Sequence, residues 1–297
     1  MSGNASGNVM FDTIAIVGVG LIGGSLGMAV KTKGLAKRVV GIGRSEQKLM
    51  RAQILGAIDE YSLDFEHGAA DADLIVICTP VSKVAPTLEC MAPNLKAGAI
   101  ITDVGSTKRE IVEDASIVTP DACYFVGGHP MAGTENAGVE NAFPDLFLGA
   151  TYVITPTQDT DLSALGRVTA FADAIGAIVE TMTPEQHDAS VAIISHLPHA
   201  LASALLQVAE DAQRESGKVF SLAAGSFRDL TRISDSMPEL WRDISLSNSD
   251  SICAAITSMQ EHLQEFKDAL ESRDEQKVLG FFEQGRQIRQ TFLRLVR

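Results

Sequence analysis

Basic residues are scarce in this 297-residue sequence. It has 24 lysines and arginines against 38 aspartates and glutamates, which gives a formal net charge of −14. Proteins that bind nucleic acid usually present a broad basic face, so this balance excludes nucleic acid as a partner. An anionic small molecule would therefore have to be bound by a local cluster of arginines.

Cysteine is also rare, and its spacing excludes the common cysteine-based sites. The four cysteines are Cys78, Cys90, Cys123 and Cys253, with no CxxC pair. We expect free thiols in a reducing cytoplasm and no metal site. The start MSGNASGNVM lacks the basic segment and apolar core of a signal peptide. No apolar run approaches the roughly 18 to 20 residues of a membrane span, and we expect no membrane partner.

Seven short apolar runs read as β-strands. They are TIAIVG (13–18), RVVGIG (38–43), LIVICTP (74–80), AIITDVG (99–105), CYFVGG (123–128), TYVITP (151–156) and IVETM (178–182). Helical patterns fill most of the gaps, notably at 21–34 and 45–56. This alternation predicts βαβ units and an α/β fold with a doubly wound parallel sheet, covered by helices on both faces.

From Pro184 onward, helical periodicity replaces the strand pattern. Two long amphipathic stretches cover 192–212 and 251–297, and we expect the second to break near Gly280. We therefore predict a flexible N-terminus at 1–10, a sheet domain at 11–183 and an all-α domain at 184–297. Apolar stripes on the helices of so small a domain favour burial against a second copy, so we expect a homodimer.

The segment TIAIVGVGLIGGSLG holds a GxGxxG pattern directly after a predicted strand, where a helix begins. Gly18 permits a tight turn, Gly20 lets a pyrophosphate approach the backbone, and Gly23 lets helix and strand pack closely. The N–H groups of the first helical turn, which contains Leu21 and Ile22, then face the phosphates. The pattern predicts a dinucleotide site, the alternative being a glycine-rich turn without a ligand.

The acidic residue that would hold the adenosine ribose of NAD is missing about 20 residues further on. The second predicted strand ends instead at Gly43, followed by Arg44 and Ser45. A guanidinium and a hydroxyl suit a 2′-phosphate, which favours NADP over NAD while leaving dual use open. Alternatively, Ser45 caps the next helix and Arg44 is solvated.

Polar residues follow several strands at their carboxyl ends, where open α/β sheets bind ligands. They are Asp103 and Ser106, then His129, Thr134 and Glu135 in GGHPMAGTENAG; Thr79, followed by the apolar Pro80, ends the strand before them. We expect His129 to lie in a sharply bent loop, where its imidazole faces a cofactor rather than a core. Ser106 can orient a catalytic group, although a serine after a strand is more often a turn residue or a helix cap.

In the helical half, SHLPHA places Ser195, His196 and His199 on one helix. Two histidines three residues apart can suggest a metal, but no third ligand is evident, so we predict none. Trp241, in MPELWRD, can line a pocket or anchor helix packing.

The segment FRDLTR places Arg228 and Arg232 four residues apart on one helical face. Asp229 and Asp235 can neutralise them on an exposed helix. Beside a nicotinamide site, the same pair is a candidate carboxylate clamp, the local arginine cluster that an acidic protein needs.

The motifs GVGLIGGSLG, DVGSTK, GGHPMAGTE, SHLPHA and FRDLTRI…WRD, in this order, resemble the prephenate/arogenate dehydrogenase family of tyrosine biosynthesis. The resemblance runs from about Phe11 to at least Ser247. It implies a Rossmann-type dinucleotide-binding domain followed by a helical substrate and dimerisation domain. It also implies an NAD(P)-dependent oxidoreductase that converts prephenate to 4-hydroxyphenylpyruvate, arogenate to tyrosine, or both. Hydride leaves the ring carbon that bears the hydroxyl, CO2 is lost, and the ring becomes aromatic.

The resemblance also implies residue roles. His129 matches the histidine that accepts the proton of the ring hydroxyl, Ser106 the serine that orients it, and Arg232 the arginine that binds a substrate carboxylate. Further substrate-pocket positions are Ser195, His199, Thr134, Glu135, Arg228, Asp229 and Trp241. Some of these positions make gating contacts between subunits, and Arg228 departs from a lysine found in relatives. The predicted cofactor contacts are Gly18, Gly20, Leu21, Ile22, Gly23, Arg44, Ser45, Thr79, Pro80 and Asp103.

Two other functions stay open. A hydroxyacid or imine oxidoreductase would share the two-domain plan, but such enzymes typically lack GGHPMAGTE, and some carry a catalytic lysine where this sequence has His196 and His199. A non-catalytic dinucleotide-sensing protein would be expected to lose the catalytic set. Prephenate and arogenate both stay candidate substrates. We expect no regulatory ACT domain and no chorismate mutase segment within these residues, so feedback inhibition by tyrosine would act at the active site.

Overall fold

The computed structural model describes residues 9–134 and 136–295. Its strands are β1 (Phe11–Val17), β2 (Ala36–Ile42), β3 (Glu60–Ser62), β4 (Leu74–Ile77), β5 (Ile100–Asp103), β6 (Tyr124–Pro130), β7 (Thr151–Thr155) and β8 (Ile178–Thr181). They form a sheet in the order β3-β2-β1-β4-β5-β6-β7-β8. The strand order reverses beside β1, as in a doubly wound fold, and the predicted Rossmann-type class is confirmed.

Helices alternate with most of the strands up to β8, and only helices follow β8 in the described residues, as the sequence predicts. They are α1 (Leu21–Lys33), α2 (Glu46–Ile54), α3 (Val84–Met91), α4 (Arg109–Val118), α5 (Leu162–Ala174), α6 (Pro184–Val191), α7 (Leu197–Ser216), α8 (Gly225–Thr231), α9 (Pro238–Ser247), α10 (Ser249–Glu271) and α11 (Glu275–Leu295). A π-helical turn, Ala192–His196, joins α6 to α7.

Helices bury both faces of the sheet, as β1 shows. Ile14 and Ile16 belong to one buried apolar cluster, to which α1 and α5 contribute. Ala15 and Val17 belong to a second cluster, to which α3, α4 and α9 contribute. Because successive side chains of a strand point to opposite faces, this alternation explains why β1 is apolar throughout.

The sheet is not parallel throughout. The strands β1, β2, β4, β5 and β6 pair in parallel, but β7 runs antiparallel to β6. The segment between β6 and β7 contains only a short 3-10 turn, Val139–Asn141, among its described residues. Without a crossover helix, the chain returns in the opposite direction. The short edge strand β3, which pairs with β2, was not predicted.

The helix α6 begins with a strong local signal. The Thr183 hydroxyl accepts the backbone N–H of Gln186, the Gln186 side chain accepts the backbone N–H of Thr183, and Pro184 occupies the first turn. This capping box fixes where α6 starts. The helix packs against α4 and β7, which brings its first residues to the sheet.

The segment Pro184–Ser216 contains an 18-residue window of mean hydropathy 1.5, of which 28% is buried. By length and composition alone, this helix is long and apolar enough to cross a membrane. Its first turns are packed against the sheet.

The described residues form two compact units that divide between Asn248 and Ser249. The predicted boundary near residue 183 falls inside the first unit, because α6 and α9 pack against elements of the sheet region. The second unit consists of α10 and α11, where the Phe266 ring stacks on that of Phe281 at 4.6 Å between centroids.

The predicted helix break near Gly280 is wrong, since Gly280 lies within α11. The chain turns instead at Arg273, which has a φ of 51°. Asp274 then accepts the backbone N–H of Lys277 at 3.0 Å and caps α11. The helix boundary therefore lies at the capping residue Asp274. Gly280 does not interrupt α11, because an isolated glycine is tolerated inside a helix.

Candidate active site

The three glycines between β1 and α1 have separate roles in the backbone. Gly18 has a φ of 93°, and a Cβ there would lie 2.8 Å from the Cys78 carbonyl oxygen. A Cβ on Gly23 would lie 2.3 Å from the Gly18 carbonyl oxygen. A Cβ on Gly20 would meet no heavy atom within 4 Å among the described residues. The first and third glycines therefore shape the turn, and the second leaves open space above it.

This open space lies at the start of α1, where a dinucleotide phosphate would bind. No side chain caps the helix at Gly20, and its first turn, with Leu21 and Ile22, contains no acidic residue. The hydroxyl of Thr79, which follows β4 with Pro80, is buried without a hydrogen-bond partner in the described chain. Uncapped N–H groups and an unpaired hydroxyl fit a pyrophosphate, so the residues present suit a nicotinamide dinucleotide.

Arg44 and Ser45, the predicted ribose-phosphate contacts after β2, differ in whether another part of the protein already engages their side chains. Ser45 caps α2, its hydroxyl accepting the backbone N–H of Lys48 at 3.4 Å. Arg44 is exposed, and no ion pair engages it within residues 9–134 and 136–295. The helix cap that the sequence offered as an alternative for Ser45 is thus present, while the Arg44 guanidinium stays available.

The structure places His129 inside β6, not in the expected loop. His129 pairs with Val153 of β7, and β6 runs beyond the last residue that pairs with β5. The preceding glycines serve close packing, because a Cβ on Gly127 would lie 2.5 Å from the Thr155 hydroxyl and one on Gly128 would lie 2.9 Å from the Asp103 carbonyl oxygen. The half-buried imidazole therefore stands at the carboxyl edge of the sheet on a rigid element.

A chain of three side chains begins at His129. Its Nδ1 lies 2.8 Å from Nε2 of His187, which is 1% exposed. Nδ1 of His187 lies 2.7 Å from Oδ1 of Asp188, which is also buried. The first two rings meet edge to face, with 5.0 Å between their centroids. Two buried residues of α6 thus support the imidazole from behind.

Asp188 also holds the loop that follows β5. Its Oδ1 accepts the backbone N–H of Lys108 at 2.7 Å, and its Oδ2 accepts that of Arg109 at 2.9 Å. Burial alone would raise the pKa of Asp188, but the hydrogen bonds from His187 and these two amides outweigh it and lower the pKa. Asp188 is therefore a carboxylate, with acceptor oxygens only.

Burial lowers the pKa of His129 well below its ordinary value, and the neighbouring His187, Lys108 and His196 lower it further. Desolvation penalises the charged imidazolium, so the neutral ring predominates near neutral pH. A neutral imidazole has one free lone pair and can accept a proton. His129 thus has the protonation state that a general base requires.

Asp103, a predicted cofactor contact, is fully buried and engaged within the protein. Its carboxylate forms an ion pair with Lys108 and accepts the backbone N–H groups of Gly105 and Gly128. Lys108 is also fully buried, and burial lowers its pKa. The pair ties the loop after β5 to the strand that carries His129.

Ser106 is half-buried in this same loop, between β5 and α4. Its neighbour Thr107 shares a 2.8 Å hydrogen bond with the Ser247 hydroxyl of α9. On the other side of His129, Thr134 is exposed and accepts the backbone N–H of Asn136. Glu135 lies outside the described residues.

The predicted residues of the helical region form a second group. His199 of α7 stacks on Trp241 of α9, with 3.6 Å between ring centroids, and its Nδ1 donates to the carbonyl oxygen of Ser195. Burial lowers the pKa of His199. The neighbouring His196 is buried, and burial lowers its pKa to about 4.

The Asn248 side chain joins this second group to the first. Its amide nitrogen donates to the carbonyl oxygen of Asp188 at 2.8 Å and lies 3.3 Å from Nδ1 of His196. The network therefore runs from His129 through α6 to the start of α7. It brings His129, His196 and the stacked His199–Trp241 pair into one region.

Arg228 and Asp229 lie on α8, and Arg232 begins the 3-10 turn that follows it. All three side chains are exposed. The helix α8 and the turn both pack against α7, which carries His199. The arginines are thus presented to solvent beside the histidine helix.

The sequence reading missed His187, Asp188 and Asn248. The segment PEQHDASV has the polar composition of an exposed helix start, and its burial arises only from packing against α4 and β7. The local signal was the capping box, which fixes where α6 starts but does not indicate which neighbours it meets. No cluster of three or more metal-ligating side chains is found in the described part of the chain.

Comparison with known proteins gives a consistent result. The family model described as prephenate dehydrogenase, nucleotide-binding domain, matches residues 26–181. The model described as prephenate dehydrogenase, dimerization domain, matches residues 183–284. Together they cover most of the chain.

Similar whole proteins lead to the same family. The prephenate dehydrogenase of Bacillus subtilis (strain 168) is 37% identical over 283 residues, 95% of this chain and 76% of that protein. A crystal structure of prephenate dehydrogenase from A. aeolicus, in complex with hydroxyphenyl propionate and NAD+, has a TM-score of 0.90 at 31% identity and covers 95% of this chain and 98% of that one. Synechocystis arogenate dehydrogenase has a TM-score of 0.82 at 32% identity and covers 94% and 99%.

Proposed function

The chain belongs to the prephenate dehydrogenase family, and from that premise we propose how its own residues carry out the reaction. It is an NAD(P)-dependent oxidoreductase that oxidises and decarboxylates prephenate, arogenate or both. The observation that carries the residue assignment is His129, a neutral imidazole at the carboxyl edge of the sheet. Gly18, Gly20 and Thr79 line the dinucleotide site at the same edge, because the strands they follow run parallel to β6.

A nicotinamide dinucleotide held by Gly18, Gly20 and Thr79 would supply the hydride acceptor for the ring carbon that bears the hydroxyl. His129 accepts the proton of that hydroxyl as the carbon–oxygen double bond forms. When the bond to the ring carboxylate breaks, its electron pair stays in the ring, CO2 leaves, and His129 returns the proton to the phenolate oxygen. Proton, hydride and CO2 then balance, and aromatisation supplies much of the driving force. The protein mainly has to position the reacting atoms.

Several further residues complete the proposed site. Ser106 orients the His129 imidazole from the loop after β5, and Arg232 binds a substrate carboxylate. His199 and Trp241 form one wall of the pocket, supported by their stacked rings. The other proposed substrate contacts are Thr134, Glu135, Ser195, Arg228 and Asp229. A local arginine cluster explains how a chain of net charge −14 attracts a dicarboxylate.

For the cofactor, we favour NADP over NAD. The free Arg44 guanidinium at the end of β2 suits a 2′-phosphate, since it offers a bidentate donor. Ser45 contributes less, because its hydroxyl already caps α2. NAD remains an accepted cofactor in this proposal, since the pyrophosphate contacts do not depend on the 2′ position.

We further propose a homodimer formed through the helical region, in the cytoplasm. Apolar residues stay exposed along the segment that leads into and includes α7: Ile193, Ile194, Leu201, Leu205 and Val208. An apolar face of this length is covered in stable proteins, and a second copy is the occupant that the dimerization-domain match supports. The four cysteines are free thiols, as expected in a reducing compartment.

One assay tests the proposed reaction. Purified protein is mixed with prephenate or arogenate and with NAD+ or NADP+, and the absorbance of the reduced nicotinamide is followed. We expect turnover with at least one substrate and a higher kcat/KM with NADP+. No turnover with either substrate would contradict the proposal.

A further inference from the structure

We propose that His187 and Asp188 are positioning residues that hold the ring proton of His129 on Nδ1, so that Nε2 is the catalytic base. The inference rests on the proposed role of His129 and assigns roles to two buried residues behind it. Its basis is the buried chain from Asp188 through His187 to His129, with atom separations of 2.7 and 2.8 Å.

The Asp188 carboxylate, at the end of this chain of side chains, sets the direction of each hydrogen bond. The Asp188 carboxylate can only accept, so Nδ1 of His187 must carry a proton and donate it. In a neutral imidazole, the other nitrogen is then an acceptor. The proposal includes a neutral His187, whose Nε2 accepts the proton that Nδ1 of His129 donates. The lone pair of His129 is left on Nε2, the nitrogen that is not engaged by α6.

Three further contacts keep Asp188 in this role. Its two oxygens accept the backbone N–H groups of Lys108 and Arg109, which anchor the carboxylate against rotation. The Asn248 amide donates to its backbone carbonyl oxygen. A carboxylate fixed in this way presents the same oxygen to His187 throughout the reaction.

The same series of hydrogen bonds, from Asp188 through His187, stabilises His129 after it has accepted a proton. When His129 accepts the substrate proton on Nε2, its Nδ1–H still points at His187, whose Nδ1–H points at the Asp188 carboxylate. The negative charge at the end of the chain offsets the new positive charge. Positive charge opposing this state comes from His187 itself whenever that ring is protonated, from Lys108, before α4, and from His196, in the π-helical turn, while Asp103 forms an ion pair with Lys108.

Two variants separate positioning from packing. His187→Leu keeps an apolar side chain in the buried site but removes the acceptor, whereas His187→Gln keeps an acceptor oxygen. We expect His187→Leu to lower kcat by a factor on the order of 10². His187→Gln should recover at least about tenfold of that loss, and both should leave the Kd of the cofactor unchanged. His67→Gln is the matched control, because His67 is also beside an aspartate, Asp64, but is exposed. It should keep the wild-type kcat.

The tautomer gives a readout that needs no substrate. In protein labelled with nitrogen-15 on histidine, the imidazole shifts above neutral pH distinguish a proton on Nδ1 from one on Nε2, and His129→Asn identifies the signal. We expect wild-type His129 to carry its proton on Nδ1. This measurement uses the wild-type protein and so stands even if His187→Leu does not fold.

Each outcome has a defined meaning. A proton on Nε2 of His129, a His187→Leu variant with wild-type kcat, or a His187→Gln variant no better than the leucine would overturn the inference. If the wild-type enzyme turns over neither substrate, the proposed function fails, while the tautomer still decides whether α6 sets the proton position.

Discussion

Lys108 and Asp103 form an ion pair in which neither side chain is exposed to solvent. The same carboxylate accepts the backbone N–H of Gly128, the residue before His129, so the pair connects the loop after β5 to the strand of the proposed base. A buried ion pair is costly to break, because the remaining charge has no solvent to stabilise it.

We expect Lys108→Met to lower the free energy of unfolding by about 3–5 kcal/mol, since it leaves Asp103 buried without its counter-charge. Urea unfolding followed by circular dichroism measures this. Lys96→Met is the matched control, because the Lys96–Asp73 pair is partly exposed, at 39% and 23%. Loss of the Lys96–Asp73 pair should lower the free energy of unfolding by about 1 kcal/mol or less. Equal losses in the two variants would show that burial of the first pair is not what stabilises the loop.

The open space above Gly20 predicts a variant that affects the cofactor but not the fold. Gly20→Ala should raise the Kd of NADP about tenfold or more, because its methyl group would occupy the position of the pyrophosphate, while the thermal midpoint stays unchanged. Fluorescence titration with the reduced cofactor measures the Kd. Gly166→Ala in α5 is the control, since a Cβ there also meets nothing within 4 Å. Unchanged affinity in Gly20→Ala would place the phosphates elsewhere.

The Arg44 assignment predicts a change in cofactor preference. Arg44→Ala should raise the KM for NADP by a factor of about 10 to 100, because a hydrogen bond to a charged group contributes about 1.5–3 kcal/mol. The KM for NAD should stay nearly constant, since NAD has no 2′-phosphate. Arg51→Ala, on α2, controls for the loss of one positive charge near the site. Parallel changes in both KM values would argue against the 2′-phosphate contact.

The lowered pKa of His129 predicts the acid side of the pH profile. Because the pKa of the folded enzyme lies below 6.5, kcat/KM should stay constant as the pH falls through 6.5 and decline only below it. The sign follows from the neutral ring, which is the active form and persists to lower pH when the pKa is depressed. Steady-state rates across this range, with circular dichroism to confirm folding, provide the test. A decline centred at or above pH 6.5 would contradict the proposed desolvation of His129.

Sequence reasoning succeeded where the signal is local. The turn at Gly18, Gly20 and Gly23 follows from backbone chemistry within a few residues, and the structure has the strand and helix that this reading requires. The alternation of strands and helices likewise predicted the doubly wound sheet. Both are consequences of short-range pattern, which a single sequence contains in full.

Features set by tertiary packing were not predictable in the same way. The glycines beside His129 indicated a bend, but Gly127 and Gly128 allow close approach to Thr155 and Asp103 inside a strand. His187 has no local mark of its burial at all. The turn at Arg273, by contrast, had a usable signal in the capping residue that follows it, which outweighs a glycine inside a helical pattern.

The central claim is that His129 is the base of a prephenate or arogenate dehydrogenase, and His129→Asn tests it most directly. Its kcat with the preferred substrate is compared with wild type, and the Kd of the cofactor is measured by titration on the same preparations. We predict that kcat falls by a factor on the order of 10² to 10⁴ while the cofactor Kd is nearly unchanged. Near-wild-type turnover by His129→Asn would contradict the account.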